Sequence, residues 1–353
     1  MDQSHGPYVV GLTSDNVAPD GTTVFGDIGL ERLEAAGLTW RTMRPVDGHA
    51  PTPGDLDGFD AILSFGHWPF SRELVAACPR LKHIARFGAG YDGIDPDDLA
   101  AEGVVLTNAP DGVRRPLALS ALTLVLALSH ELVANQRLVS SGRWEDRGQH
   151  IGRGVAGRTV GIVGFGSVGQ DLAGLLVPLG ARVVTVDRDS AHEPAARLGV
   201  DLVPLDRLAA ESDYVVLTAS LNPGSFHVVD ATFLAHMRPT SYLVNVGRGP
   251  LVDQAALTAA LDAGQIAGAA LDVLEEEPPA TDEPLLSMDQ VIVTPHALCW
   301  TEDFVRGVTD SAFESLVDVA HGRRPRNLLN PAAYDADRGV GTFLPLTDPE
   351  DAR

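Results

Sequence analysis

The sequence predicts an α/β protein built from two parallel, doubly wound units. Short apolar runs of strand length alternate with helical patterns from the N-terminus to about residue 107. That rhythm is the signature of strand–helix–strand crossovers. A second series then starts at the β-branched run Thr159-Val160-Gly161-Ile162-Val163, which ends in glycines spaced G-x-G-x-x-G. With 353 residues, 44% of them hydrophobic, the chain can fill two cores.

In the first series, residues 8–12, 60–64, 83–86 and 104–107 read as strands. Residues 30–37 read as a helix with Gly37 as its stop, 72–77 as a second, and 96–101 as a third opened by Asp95. Two loops follow strands here. Phe87-Gly88-Ala89-Gly90-Tyr91-Asp92 can expose successive N–H groups around small residues, a nest for a carboxylate or a plain glycine turn. Phe65-Gly66-His67-Trp68-Pro69-Phe70 can shape a pocket at the strand ends or cover the core.

Asp111-Gly112-Val113-Arg114-Arg115-Pro116 reads as a turn-rich domain crossing, with Pro116 in the first turn of an apolar helix over 117–128. That stretch is too short to span a bilayer. The N-terminus lacks a basic region followed by an apolar run, so no signal peptide is expected. A net charge of −22 argues against nucleic acid or an anionic membrane as partners. Cys78 and Cys299 provide neither a disulfide framework nor metal-ligand spacing, so no metal is expected and a reducing cytoplasm is the default.

The glycine-rich stretch carries the first chemistry. Gly164 permits a tight turn, Gly166 lets the backbone approach a pyrophosphate, and Gly169 lets the following helix pack closely on the sheet. Phe165, Ser167 and Val168 complete a turn whose free N–H groups face an anion. A second strand over 181–186 ends in Asp187, about 20 residues beyond the turn, where a ribose 2′-hydroxyl is expected. A carboxylate there favours NAD over NADP, and the adjacent Arg188 can soften that preference. Further strands over 213–218, 242–246, 268–273 and 291–293 give six in all, a complete Rossmann unit. Helices are expected at 230–237, 255–263 and 302–320, and from Tyr334 the chain turns polar and acidic.

Three polar residues follow the later strands. Arg248, between Gly247 and Gly249 that leave it unobstructed, offers a fork matched to a carboxylate and a neighbouring carbonyl oxygen. Glu277 closes the run Glu275-Glu276-Glu277 before Pro278, and His296 follows Thr294-Pro295. A histidine can exchange the proton that accompanies hydride transfer, and a nearby carboxylate stabilises its imidazolium. Taken singly, these residues read more readily as a surface charge, an exposed acidic run and a structural histidine; together at one end of one sheet, beside a dinucleotide turn, they read as a site.

Carrying these motifs in this order, the chain resembles the D-isomer-specific 2-hydroxyacid dehydrogenases over about residues 55–331. The resemblance rests on the ordered segments 87–95, 161–166, 245–249, 271–273 with Glu277-Pro278, 294–296 and 327–331. It implies a Rossmann NAD-binding domain, residues 116–301, inserted into a flavodoxin-like α/β substrate domain, residues 1–115 plus 302–335, with an acidic tail over 336–353. It implies catalytic roles for Arg248 as carboxylate clamp, His296 as acid–base and Glu277 as its support. Gly88, Ala89 and Gly90 would bind the substrate's carboxylate, Trp300 would wall its pocket, and Asp272 would join the NAD site. A homodimer built through the NAD-binding domain is also implied. The implied activity interconverts a 2-oxo acid and its (R)-2-hydroxy acid.

Other readings on the same scaffold are a non-catalytic NAD(H)-responsive, corepressor-like protein and a phosphoglycerate- or phosphite-type dehydrogenase. No clear phosphate-binding arginine stands in residues 65–70, which weighs against phosphoglycerate. Leu117-Ala118-Leu119 replaces the family's Val-Ala-Glu, and the preceding Arg114 and Arg115 would meet an extra anionic group or form surface ion pairs.

Overall fold

The computed structural model describes residues 7–18, 20–46, 50–186 and 188–335. Asp187 and the acidic segment 336–353 lie outside the described residues. The chain divides into two compact units. One takes the described residues up to Val113 and those from Trp300 onward, and the other spans Arg114–Cys299.

The first unit holds β1 (Val9–Leu12), β2 (Thr39–Thr42), β3 (Ala61–Ser64), β4 (His83–Arg86) and β5 (Val105–Thr107). They form one parallel sheet in the order β2-β1-β3-β4-β5, the flavodoxin-like arrangement. Strand β2 was not expected from the sequence. It is an edge strand whose residues alternate between exposed and half-buried, so no apolar run marks it. The helix Pro96–Ala101 starts where the sequence places it, with the Asp95 carboxylate accepting from Asp97 N–H at 2.8 Å.

The second unit holds β6 (Thr159–Val163), β7 (Arg182–Val186), β8 (Asp201–Val203), β9 (Tyr214–Leu217), β10 (Tyr242–Asn245), β11 (Gly268–Leu271) and β12 (Val291–Val293). Their order is β12-β11-β10-β9-β6-β7-β8, again all parallel. Counted from β6, this is the dinucleotide-fold order extended by one strand, so the sheet has seven strands where the sequence shows six. The missed one is β8, a three-residue edge strand with a single buried residue.

Period-2 alternation sorts the strand residues onto two cores. Val160, Ile162, Tyr214, Val216, Tyr242, Val244 and Ala270 face one. Val163, Val215, Leu217, Leu243, Ala269 and Leu271 face the other.

The turn expected over 111–116 is helix instead. A single helix runs Pro110–Ser129, with Pro116 in its interior rather than its first turn. Pro110 occupies the helix's first position, where a missing N–H costs nothing. Gly112 therefore serves packing, not turning. A Cβ on it would overlap the backbone of Gly307 and Val308 in the helix Glu302–Ala320. Among the described residues Pro110–Ser129 is the one helix long and apolar enough to cross a membrane, and 56% of its apolar window is buried within the fold. Ala118, Ala121, Leu124, Val125 and Leu128 are its buried residues in the second unit's core.

Candidate active site

Parallel strands bring their C-terminal loops to one edge of a sheet, and the second unit uses that edge four times. Strand β6 opens into the glycine turn. Gly164 sits at φ +100°, and a Cβ there would overlap Ala219 N. The Thr218 hydroxyl donates to Gly164 O at 2.6 Å. A Cβ on Gly169 would overlap Gly164 O, so this glycine is required where helix meets turn. Gly166 differs: nothing lies within 4 Å of the place a Cβ would take. It is the N-cap of the helix Ser167–Leu176, and no side chain caps that helix. The Ser167, Val168 and Gly169 end thus offers helix N–H groups beside open space. Phe165 is half-buried, and its carbonyl accepts from the Gln170 amide at 3.0 Å. These residues fit a bound pyrophosphate. Arg188 is exposed.

Strand β10 opens into Arg248. The Asn245 side chain braces this turn, donating to Arg248 O at 2.8 Å and accepting from Gly247 N–H at 3.0 Å. Arg248 is half-buried, and its Nη1 donates to Gly247 O at 2.7 Å. The flanking glycines do more than clear space. A Cβ on Gly247 would come within 2.9 Å of Ala219 O, and one on Gly249 would overlap the Leu274 carbonyl. The Arg248 turn and the loop after β11 are therefore pressed together.

That second loop carries Glu277, whose Oε1 accepts from Leu274 N–H at 2.9 Å. Its other oxygen, Oε2, lies 2.7 Å from His296 Nδ1. One carboxylate thus anchors its own loop and holds the imidazole, which fixes the Nδ1–H tautomer toward Glu277 and directs Nε2 away from it. The Glu277–Pro278 peptide is cis.

His296 sits at φ +53°, in the left-handed region, two residues after Thr294 and following β12. Asp272, only 2% exposed, holds that loop. Its Oδ1 accepts from the Thr294 hydroxyl at 2.6 Å and from Ala297 and Leu298 N–H at 3.3 Å. Burial pushes the Asp272 pKa up, against the opposing pull of Thr294, the Leu298 and Ala297 N–H groups and the charge of His296. Neighbouring Cys299 is buried, and its thiol is pushed up to about 12 by burial and by Asp272, so it stays protonated.

The remaining sequence-selected residues belong to the first unit. The Gly88, Ala89 and Gly90 loop follows β4, with Gly88 at φ +151°. The N–H groups of these three residues donate to no protein atom among the described residues. Trp300 is 41% exposed and meets the Phe25 ring edge-on at 4.7 Å. Phe25 also touches Phe87, the residue before the glycine loop, at 5.4 Å. Phe65 packs on Phe87 with ring centroids 4.6 Å apart, while Trp68 and Phe70 are buried and belong to the first unit's core. Trp300 and Phe25 line a cavity of about 560 Å³ with Ile28 and Val305. Arg115 pairs with Asp171 at 3.0 Å, the surface ion pair of the two readings given above. Asn108 and Arg86, which no sequence motif marks as site residues, contact the carbonyls of the Gly88–Gly90 loop. Among the described residues no cluster of three or more His, Cys, Asp or Glu could hold a metal.

Residues 122–297 match the family model described as D-isomer specific 2-hydroxyacid dehydrogenase, NAD binding domain. The chain is 38% identical over 277 residues to a glyoxylate reductase of Thermococcus onnurineus, covering 77% of this chain and 83% of that one. It is 35% identical over 274 residues to a glyoxylate reductase of Korarchaeum cryptofilum, covering 77% and 82%. Among solved structures it is similar to an NADPH-dependent glyoxylate/hydroxypyruvate reductase of Sinorhizobium meliloti in complex with NADP and malonate. The TM-score is 0.78 at 28% identity, covering 93% of this chain and 98% of that one.

Proposed function

The chain belongs to the D-isomer-specific 2-hydroxyacid dehydrogenases, and from that premise we propose that Arg248, Glu277 and His296 are its catalytic residues. The protein is an NAD(P)-dependent oxidoreductase that interconverts 2-oxo and 2-hydroxy acids. In the proposed mechanism the Arg248 guanidinium clamps the substrate carboxylate and polarises the C2 carbonyl. The N–H groups of Gly88, Ala89 and Gly90 bind the same carboxylate. The nicotinamide, when bound, supplies or accepts the hydride at C2. His296 Nε2 gives its proton to the C2 oxygen in reduction and takes it back in oxidation, while Glu277 stabilises the imidazolium through Nδ1. The product is the (R)-2-hydroxy acid. The single observation carrying this reading is the 2.7 Å pair of His296 and Glu277 at the sheet edge that also bears the glycine turn.

Gly164 to Gly169 would hold the cofactor's pyrophosphate, with Asp272 and Arg188 at its margins. Asp187 would accept from the ribose 2′-hydroxyl, so NAD is the preferred cofactor. Trp300 would wall the substrate's side-chain pocket, a role supported by its contact with Phe25 and, through it, Phe87. The unit up to Val113 and from Trp300 would be the substrate domain.

A homodimer through the NAD-binding unit is supported by Leu132, Val139, Trp144 and Ile151. These large apolar side chains, 59–81% exposed, lie within 20 residues of one another in sequence. We place the protein in the cytoplasm, in keeping with two buried free thiols.

The test is NADH oxidation over glyoxylate, pyruvate, hydroxypyruvate, branched and aromatic 2-oxo acids and phosphohydroxypyruvate. At least one should turn over, and His296→Ala should lower kcat by about 10²–10⁴-fold with NADH binding retained. Near-normal turnover in His296→Ala would falsify the assignment. Asp187→Ser should narrow the gap between NADH and NADPH. A wild type that already prefers NADPH sinks the cofactor assignment.

A further inference from the structure

The loop Gly88-Ala89-Gly90 can present its N–H groups to an anion only if its carbonyls point elsewhere. Each of the three is held by a different donor. Gly88 O accepts from Ala109 N–H at 2.8 Å. Ala89 O accepts from the Asn108 side-chain amide at 2.8 Å. Gly90 O accepts from Arg86 Nε at 3.0 Å. Asn108 is 8% exposed and Arg86 4% exposed, so neither can swing out into water without losing its packing.

Arg86 also reaches across the sheet edge. Its Nη1 donates to the Ser64 hydroxyl at 2.6 Å, to Ser64 O at 3.3 Å and to Gly66 O. One planar guanidinium therefore ties the loop after β4 to the loop after β3. Asn108 ties the same loop to the segment after β5, just before the helix that starts at Pro110.

We propose that Asn108 and Arg86 are positioning residues that hold the Ala89 and Gly90 carbonyls inward and so orient the N–H groups of the Gly88–Gly90 loop toward the substrate carboxylate. The proposal rests on the reading of that loop as the carboxylate site. Both residues act on substrate affinity, because they fix the geometry of a binding surface and carry no reacting atom. The alanine of Asn108→Ala frees the Ala89 carbonyl to turn outward, where its negative end opposes the carboxylate. Arg86→Lys keeps a charge but loses the fork that spans Gly90 and Ser64.

The experiment measures steady-state kinetics of Asn108→Ala and Arg86→Lys with the 2-oxo acid the wild type turns over best, and inhibition by oxalate. KM for the 2-oxo acid and Ki for oxalate should rise about tenfold or more, kcat should fall by less than about threefold, and KM for NADH should hold within about twofold. A folded Asn108→Ala with KM and Ki within twofold of wild type overturns the proposal, as does a loss falling equally on kcat and on KM for NADH. If Arg86→Lys does not fold, Asn108→Ala decides. The amide resonances of Gly88, Ala89 and Gly90 separate this from the underlying reading. In wild type with NAD they should shift when oxalate is added. No shift sinks the carboxylate site itself, whereas a shift alongside unaltered Ki in the variants sinks only the positioning roles.

Discussion

The Asp272 carboxylate accepts from the Thr294 hydroxyl at 2.6 Å and, from the other side of His296, from the N–H groups of Ala297 and Leu298. One buried acid thus brackets the histidine and fixes the loop that carries it. Asp272→Ala removes the acceptor and leaves the Thr294 hydroxyl and the Ala297 and Leu298 N–H groups without it. We expect it to cost about 2 kcal/mol of unfolding free energy and, by loosening His296, roughly 100-fold in kcat. Urea unfolding and steady-state kinetics check both. A kcat at wild-type level in the folded variant means that His296 is held by Glu277 alone.

Gly112 and Gly307 form a close crossing between two helices, with a Cβ on Gly307 coming 2.8 Å from Gly112 Cα. Gly112→Ala should destabilise by about 1–3 kcal/mol through overpacking, although alanine is the better helix former. Gly148→Ala, where the added methyl meets nothing within 4 Å, is the control. Equal melting temperatures for the two variants would remove the packing role.

His83 lies fully buried in β4, its Nε2 2.8 Å from the Thr107 hydroxyl. Burial lowers its pKa from 6.5 to about 3. The unfolded chain then binds more protons than the native one between those values, so stability rises with pH across this window. The stabilisation is fully present above pH 6.5 and is lost as pH falls toward 3, at about 1.4 kcal/mol per unit. His83→Gln should flatten this acid limb, giving a smaller difference between unfolding free energies at pH 7 and pH 4. A parallel limb in the variant would place the titration elsewhere.

Trp144→Glu with Ile151→Glu should halve the mass seen by light scattering if these apolar side chains meet a second copy of the chain. A wild type that is already monomeric rejects the homodimer.

The parts of this molecule legible in its sequence are those where local chemistry and burial agree. The helix Glu302–Ala320 stands within the bounds its pattern gives, because an apolar stripe and a Thr301 cap coincide. Strands β2 and β8 stayed hidden because edge strands bury too little for period-2 alternation to register. Gly112 misled because a glycine spent on helix crossing looks in sequence like one spent on a turn. The pairing of His296 with Glu277 followed from the resemblance; its geometry did not, since it depends on Asp272, Leu274 and Gly249. Arg86 was invisible as a site residue. A charge inside a run of four strand positions gives no sign that all four are buried.

The left-handed backbone of His296 places a conformational demand and the proposed acid–base on one residue. A non-glycine residue in this conformation costs roughly 1–2 kcal/mol relative to one that adopts it readily. Asparagine, like histidine, is among the residues that enter that region most readily, so His296→Asn should keep the turn, turn over almost nothing and, with the 2.7 Å contact to Glu277 lost, melt no later than wild type. Only substitutions that accept the left-handed region therefore separate the loss of the imidazole from the loss of the turn that carries it.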